Sequence, residues 1–142
     1  MQSDIEVVIF DNIESLSSYI DEQINNIEKR LNDLRAYMEK LRERVSKYEV
    51  LKRMLEELVG KEHVPLSTSV EITGLNLVLD PIPLDEYNVI SEAHKAMSDK
   101  LNVLKKVKEV IDILSKHLSG RTVQLVVAFR SNIPIKIMIK TS

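Results

Sequence analysis

The sequence predicts an α+β protein in which two long helices form a coiled-coil arm and small antiparallel β elements follow the order β-α-ββ-α-ββ. Three observations indicate this class: a heptad repeat of apolar residues in the first half of the chain, an apolar stripe at helical spacing in the second half, and alternating apolar residues near the C-terminus. With 142 residues, the chain is expected to form a single domain over 1–142.

The first strand is predicted over about residues 4–10, because the run from Ile5 to Phe10 is rich in β-branched and aromatic side chains. A long helix over about 12–59 follows it. Asp11, with Glu14 three residues later, has the form of a capping box, and Gly60 supplies a residue that tolerates the left-handed conformation at a helix end. A helix of about 46 to 48 residues is about 70 Å long.

The centre of this helix carries an uninterrupted coiled-coil seam, in which apolar residues recur at alternating steps of three and four. We predict that these residues form an oligomer seam, because a single rod cannot bury them. The partner helix is either the second helix of the same chain, lying antiparallel, or a helix of another subunit. Two steps of four between Leu16, Ile20 and Ile24 indicate a change of partner near residue 20. The seam consists of Ile24, Ile27, Leu31, Leu34, Met38, Leu41, Val45 and Tyr48.

A β-hairpin is predicted over about residues 66–79, with Thr73 and Gly74 as its two-residue turn. This turn places Ile72 opposite Leu75 and Val70 opposite Leu77, so that all four share one face. The second long helix is predicted over about 84–119. Its acidic first turn and the glycine after its end suit the two ends of a helix.

Two further strands are predicted over about residues 121–140, where apolar residues occupy every second position. A three-residue loop, Arg130-Ser131-Asn132, would pair Phe129 with Ile133. The opposite face of the terminal strands is partly apolar, and homo-oligomerisation is the simplest explanation for such a face. The residues predicted for that face are Val8, Phe10, Val126, Ala128 and Met138, beside Lys136 and Lys140.

Charge is distributed unevenly along the chain. The segment 1–28 has seven acidic and no basic residues, whereas 95–142 has ten basic and three acidic ones. Either the two ends neutralise each other, within the fold or across a dimer, or the basic end is a surface for nucleic acid or an acidic partner. Nucleic-acid binding is the less favoured alternative, because Phe129 is the sole aromatic residue after Tyr87 and bases would find few stacking partners. Its candidate contacts are Lys105, Lys106, Lys108, Arg121, Arg130, Lys136 and Lys140.

No pattern of residues points to catalysis. The chain has no cysteine, its three histidines (His63, His94 and His117) have no metal-ligand spacing, and its three separated glycines cannot build a phosphate-binding loop. We therefore expect no catalytic residues, no metal, no cofactor and no enzymatic activity. A transmembrane span, a membrane partner and a signal peptide are not expected either, so a cytoplasmic protein is predicted. The charged, glycine-poor composition is typical of thermophilic proteins.

One family resemblance extends over residues 13–118. A long heptad helix, the segment Val64-Pro65-Leu66 with the strands after it, and a second long helix resemble the alpha subunit of archaeal prefoldin. The resemblance implies a chaperone subunit whose hairpins assemble into a barrel and whose coil tips hold unfolded client proteins.

The sequence therefore predicts a non-enzymatic protein that acts in coiled-coil oligomerisation, as a scaffold, or in protein interaction. It is expected to form a homo-oligomer, and a further protein partner is compatible with the two-faced terminal strands. A nucleic-acid-binding protein and a prefoldin-like chaperone subunit are the alternatives.

Overall fold

The helices and strands follow one another in the predicted order. The computed structural model describes residues 4–61, 68–79 and 81–141. The two long helices pack against each other and the strands form small antiparallel sheets, which confirms the α+β class. Among the described residues, neither helix has an apolar stretch of the length needed to cross a lipid bilayer. The elements are β1 (Ile5–Phe10), α1 (Ile13–Val59), β2 (Thr68–Ile72), β3 (Leu75–Leu79), α2 (Pro83–Leu118), β4 (Val123–Arg130) and β5 (Ile133–Thr141).

The chain divides into two compact units. The first unit comprises residues 1–31 and 96–142, and the second comprises residues 32–95. The first unit contains a three-stranded antiparallel sheet in the order β1-β4-β5, together with the beginning of α1 and most of α2. The second unit contains the β2-β3 hairpin and the remaining parts of the two helices.

The core of the first unit joins one face of its sheet to the two helices. Leu16 and Ile20 of α1 are fully buried in this core, so the turns before the coiled-coil seam share a cluster with strand residues, as the predicted change of partner requires. Burial of each such side chain stabilises the fold by about 1.5–3 kcal/mol. The other fully buried members are Ile13, Leu104, Ile111, Leu125 and Val127.

Three aromatic rings close one part of this core. Tyr19 lies edge-on to Phe10 at 5.7 Å and to Phe129 at 5.4 Å between ring centroids. Phe10 and Phe129 are 6.4 Å apart and tilted relative to each other. Edge-to-face pairs of this kind add about 0.5–1.5 kcal/mol each beyond the area they bury. The cluster fixes β1 and β4 against the first turns of α1.

The prediction that Val8 and Phe10 lie on the outer face of the sheet was wrong. Val8 pairs with Val127 and Phe10 with Leu125, and both partners are fully buried. Directly opposed residues of an antiparallel pair lie on the same face, so Val8 and Phe10 face the core. The outward residues of β1 are Ile5, Val7 and Ile9. Phe10 decides between the two faces, because it is the largest apolar side chain of the strand and completes the aromatic cluster.

The loop between β4 and β5 is also shorter than predicted. Arg130 pairs with Ile133, which leaves a two-residue turn of Ser131 and Asn132, with φ of 52° and 64°. Phe129 therefore pairs with Pro134 rather than with Ile133, and the register shifts between Ala128 and Phe129. Two consecutive left-handed residues make the type I′ turn that suits the twist of a hairpin, and the shift returns the remaining apolar pairs to one face.

The N-terminal cap of α1 is one residue later than predicted. The backbone N–H of Ser15 donates to Oδ1 of Asn12 at 2.8 Å, so Asn12 is the capping residue and Asp11 is not. Glu14 accepts instead a hydrogen bond from the hydroxyl of Ser119, at 3.3 Å. At the other end, Gly60 adopts the expected left-handed conformation, with φ of 88°, and its N–H donates to Glu56 O. The helix spans 47 residues, as predicted.

In the second unit, β2 and β3 form the predicted hairpin around Thr73 and Gly74. Ile72 pairs with Leu75 and Val70 with Leu77, which confirms the predicted register. Both turn residues have positive φ, 49° for Thr73 and 82° for Gly74.

Candidate functional site

The outer face of the β1-β4-β5 sheet is a continuous apolar surface. We define the outer sheet face as Ile5, Val7, Ile9, Val126, Ala128 and Met138. Register connects these residues in rows across the strands: Ile9 pairs with Val126, which pairs with Met138, and Val7 pairs with Ala128. On the edge strand β1, Ile5, Val7 and Ile9 are 51%, 61% and 59% exposed, so the sheet carries its largest outward apolar side chains on a free edge.

Basic residues border this face on one side. Lys136 pairs with Ala128 and Lys140 pairs with Gln124, so both lysines point outward from β5, at the edge opposite β1. Arg130, opposite Ile5, stands at the end of the face near the turn. All three are exposed. The face is therefore apolar over most of β1 and β4, and on β5 the apolar Met138 lies between the two lysines.

Sequence reasoning recovered Val126, Ala128 and Met138 but missed Ile5, Val7 and Ile9. Strand β1 has apolar residues on both of its faces, so the alternation of its residues does not show which face points toward the core. The signal that decides it is Phe10, since an aromatic residue at the end of such a strand is better accommodated in a core.

The predicted oligomer seam lies on the inner side of α1. Ile24, Ile27 and Leu31 belong to the core of the first unit, where Leu101 and Leu104 of α2 are buried in the same cluster. Part of the seam is therefore occupied within the chain. Whether the seam also pairs between chains stays a prediction. In the second unit, Leu41 is buried, and the remaining seam residues are half-buried: Leu34, Met38, Val45 and Tyr48.

Two of the candidate nucleic-acid contacts bind acidic residues of α1. The ammonium of Lys108 lies 3.0 Å from Asp21 Oδ2 and also donates to the hydroxyl of Ser17, and Lys105 Nζ lies 3.9 Å from Glu28 Oε2. These pairs neutralise part of the acidic N-terminal segment with part of the basic C-terminal segment inside one unit, as the first of the two charge hypotheses expected. The other candidates are exposed: Lys106, Arg121, Arg130, Lys136 and Lys140.

These basic residues do not form a single surface. Lys105 and Lys108 reach from α2 to α1, whereas Lys136 and Lys140 point outward from the sheet. A phosphate backbone is tracked by a contiguous row of cations, and such a row is not brought together from these residues.

Two side-chain hydrogen bonds connect α1 and α2 in the second unit. The Tyr37 hydroxyl donates to Oε2 of Glu86, and an Nη atom of Arg42 donates to the Tyr87 hydroxyl at 3.3 Å. The hydrogen bond to Glu86 raises the pKa of Tyr37 above its usual value of 10.0, and partial desolvation and the negative charge of Glu86 add to this rise. The hydrogen bond to Tyr87 similarly raises the pKa of Arg42. These side chains are exposed or half-buried, and they connect the two helices rather than line a cavity.

The two histidines that the structure describes lie far apart. His94 and His117 are more than six turns of α2 apart, and His63 lies outside the described residues. No three residues of the metal-ligating types come together in the part of the chain that the structure describes. His94 Nε2 is buried without a hydrogen-bond partner. The expectation of a chain without catalytic residues, metal or cofactor stays a prediction.

Apolar residues are also exposed on the second unit. Along the last turns of α1, a group that includes Leu51, Met54 and Leu58 faces solvent, and so do Ile72 and Leu75 in the hairpin. The segment Val64-Pro65-Leu66, on which part of the prefoldin resemblance rests, lies outside the described residues.

No family model matches the chain, and neither a curated protein nor a solved structure matches it.

Proposed function

We propose that this protein is a non-enzymatic scaffold that assembles with copies of itself, and that the outer sheet face is the contact. The observation that carries the proposal is the exposure of Ile5, Val7 and Ile9 on the same face as Val126, Ala128 and Met138. Monomeric proteins rarely expose contiguous apolar patches of this kind, and a patch with a polar border is typical of a protein interface.

The chemistry of the face favours a second copy as its partner. Two such faces can pack as the layers of a β-sandwich, about 10 Å apart and with their strands roughly aligned. A two-fold axis parallel to the strands then places β1 of one chain over β5 of the other. The aliphatic stems of Lys136 and Lys140 cover the apolar side chains of β1 while their ammonium groups reach solvent at the edge. Direct apposition of the basic residues of the two copies is avoided.

Self-association would also protect the exposed sheet. β1 and β5 are edge strands, and apolar side chains on an edge strand invite uncontrolled pairing with other chains. A closed, two-fold interface buries these side chains and limits the assembly, because the same patch is used by both subunits.

The proposal is tested by measuring the mass of the assembly by light scattering during size-exclusion chromatography, at micromolar concentration. Ile9→Lys places a charge among the apolar side chains of the outer sheet face and should reduce the mass, while circular dichroism stays that of the folded protein because Ile9 is exposed. Ile72→Lys is the matched control: the same substitution at similar exposure, in the β2-β3 hairpin, should leave the mass unchanged. A wild-type monomer, or an Ile9→Lys variant with the wild-type mass, would overturn the proposal.

A further inference from the structure

We propose that α2 carries a second self-association surface, along which the α2 helices of two chains pair antiparallel, with Asp99 of each chain opposite Lys106 of the other. This inference extends the self-association proposed above to a different surface, and the two contacts can be tested separately.

The surface is a second stripe along α2. We define the α2 stripe as Ala96, Lys100, Val103, Val107, Val110 and Leu114. These residues follow one another at alternating steps of four and three, the spacing of a coiled-coil seam. The stripe borders the residues of α2 that enter the core, such as Leu104 and Ile111, and two of its members, Val107 and Leu114, also pack against that core. Val103 and Val110 are 43% and 54% exposed, so the stripe is open to a partner at these two positions.

Strand β5 extends this surface at one end. Val110 and Leu114 line an open, mainly apolar groove with Ile135, Ile137 and Ile139 of β5. Ile135 and Ile139 are themselves exposed. A helix lying along the α2 stripe therefore meets apolar side chains from the strand as well as from α2.

The charges beside the stripe favour a second copy over any other helix. In an antiparallel pair, the side chains of the two seams meet in successive layers. If Lys100 lies opposite the partner's Val103, then Val107 lies opposite the partner's Ala96. On the flank of these layers, Asp99 then faces the partner's Lys106, and two-fold symmetry repeats the pair. The stripe is thus complementary to itself in this one arrangement.

Other arrangements bring like charges together. Sliding the partner helix by one heptad places Asp99 opposite the partner's Asp99 in one direction and Lys106 opposite the partner's Lys106 in the other. A parallel pair would place Lys100 against the partner's Lys100 within the seam. A charged residue at a seam position selects orientation and register in this manner at some loss of stability.

Asp99 and Lys106 are available for these pairs. Both are exposed, and neither takes part in an ion pair within the described parts of the chain. The neighbouring lysines differ, since Lys105 and Lys108 already bind Glu28 and Asp21. The flank of the stripe therefore carries one free acidic and one free basic group at a spacing of seven residues.

With both contacts present, each chain has two different two-fold interfaces, and such a set closes into a tetramer or continues as a chain of dimers. Val103→Glu should convert either assembly to a dimer, because it removes the α2 contact and leaves the sheet contact. Ile9→Lys should also leave a dimer, and the double variant should be a monomer.

Charge reversal in the Ile9→Lys background isolates the α2 contact. Sedimentation equilibrium should show that Lys106→Asp weakens dimerisation by about 10-fold, since two attractive pairs become repulsive. Adding Asp99→Lys should restore the dissociation constant to within about threefold, because the opposite charges are then exchanged. Lys116→Asp, an exposed charge reversal elsewhere on α2, is the control and should have no effect.

The outcomes separate the two proposals. If Ile9→Lys is a monomer while the wild type is a dimer, the α2 contact is wrong and the sheet contact stands. If Lys106→Asp weakens the dimer but Asp99→Lys does not rescue it, the antiparallel register is wrong. A wild type that is monomeric at all concentrations would overturn both.

Discussion

The ammonium of Lys108 lies 3.0 Å from Oδ2 of Asp21 and 3.6 Å from Oδ1 of Asp112, and it also donates to the Ser17 hydroxyl. Lys108 occupies the core-facing side of α2 and is about one-fifth exposed, whereas more than half of Asp21 is exposed. The aliphatic stem of the lysine is thus packed between the helices and its charge is satisfied at their border. This contact joins the acidic beginning of the chain to its basic end.

A double-mutant cycle with Asp21→Asn and Lys108→Met should give a coupling energy of about 0.5–1 kcal/mol, because the carboxylate remains largely hydrated. Methionine retains the packing of the aliphatic part of Lys108, so the coupling energy measures the contribution of its charge. Urea unfolding measures the four free energies. The same cycle on Glu28 and Lys105, which are 3.9 Å apart and both about half exposed, should give a smaller coupling. Equal couplings would contradict a dependence on burial.

The core residues of α2 should contribute much of the stability of the first unit. Leu104→Ala should lower the free energy of unfolding by about 2–5 kcal/mol, because Leu104 is fully buried and its truncation leaves a cavity. Leu84→Ala, the same change at an exposed position of the same helix, should cost less than about 1 kcal/mol. Thermal and urea unfolding of both variants make the comparison. Similar losses would argue against the described core.

Asn12 should be the residue that stabilises the start of α1. Asn12→Ala removes the acceptor for the Ser15 N–H and should destabilise the protein by about 0.5–2 kcal/mol. Asn12→Ser should retain most of the effect, since serine is also a good cap. Asp11→Ala should cost only a few tenths of a kcal/mol through the helix dipole. A larger loss from Asp11→Ala than from Asn12→Ala would restore the cap position predicted from the sequence.

Tyr37 should titrate above the pH at which a free tyrosine does, because the hydrogen bond to Glu86 holds the protonated form. The folded-state pKa is raised, so the folded protein binds more protons than the unfolded chain above pH 10.0. The contribution of this contact to stability is therefore present below the unfolded pKa and is lost as the pH rises through the folded one. Ultraviolet difference titration of the wild type against Tyr37→Phe isolates this group. Glu86→Gln should bring the midpoint down, and an unchanged midpoint would contradict the assigned cause.

Much of the fold could be predicted from local patterns. The length of α1 follows from apolar residues at helical spacing up to Gly60, and the β2-β3 register follows from a two-residue turn that contains Gly74. The errors occurred where two local patterns compete. Asp11 and Asn12 are both good capping residues, and Asn12 is the one that directly precedes the first residue of α1, Ile13.

The candidate surface required information that no local pattern contains. The two faces of β1 are similarly apolar, so the outward position of Ile9 depends on the pairing of Phe10 with Leu125 across the sheet. Pairing over such a separation in sequence is a tertiary property. By contrast, the outward position of Met138 could be predicted, because β5 carries lysines on one face at every fourth residue.

The turn of the β2-β3 hairpin should limit its stability. Thr73 is β-branched and holds φ of 49°, a conformation that costs such a residue about 1–2 kcal/mol, although its hydroxyl donates to Ile72 O at 2.8 Å. Thr73→Asn creates the Asn-Gly pair preferred in type I′ turns and should slow amide hydrogen exchange in the hairpin by about 3- to 10-fold. Gly74→Ala should accelerate it. A methyl group at Gly74 meets no atom within 4 Å, so this loss would come from the backbone conformation at φ of 82° alone. If both variants exchange like the wild type, opening of the hairpin is controlled outside its turn.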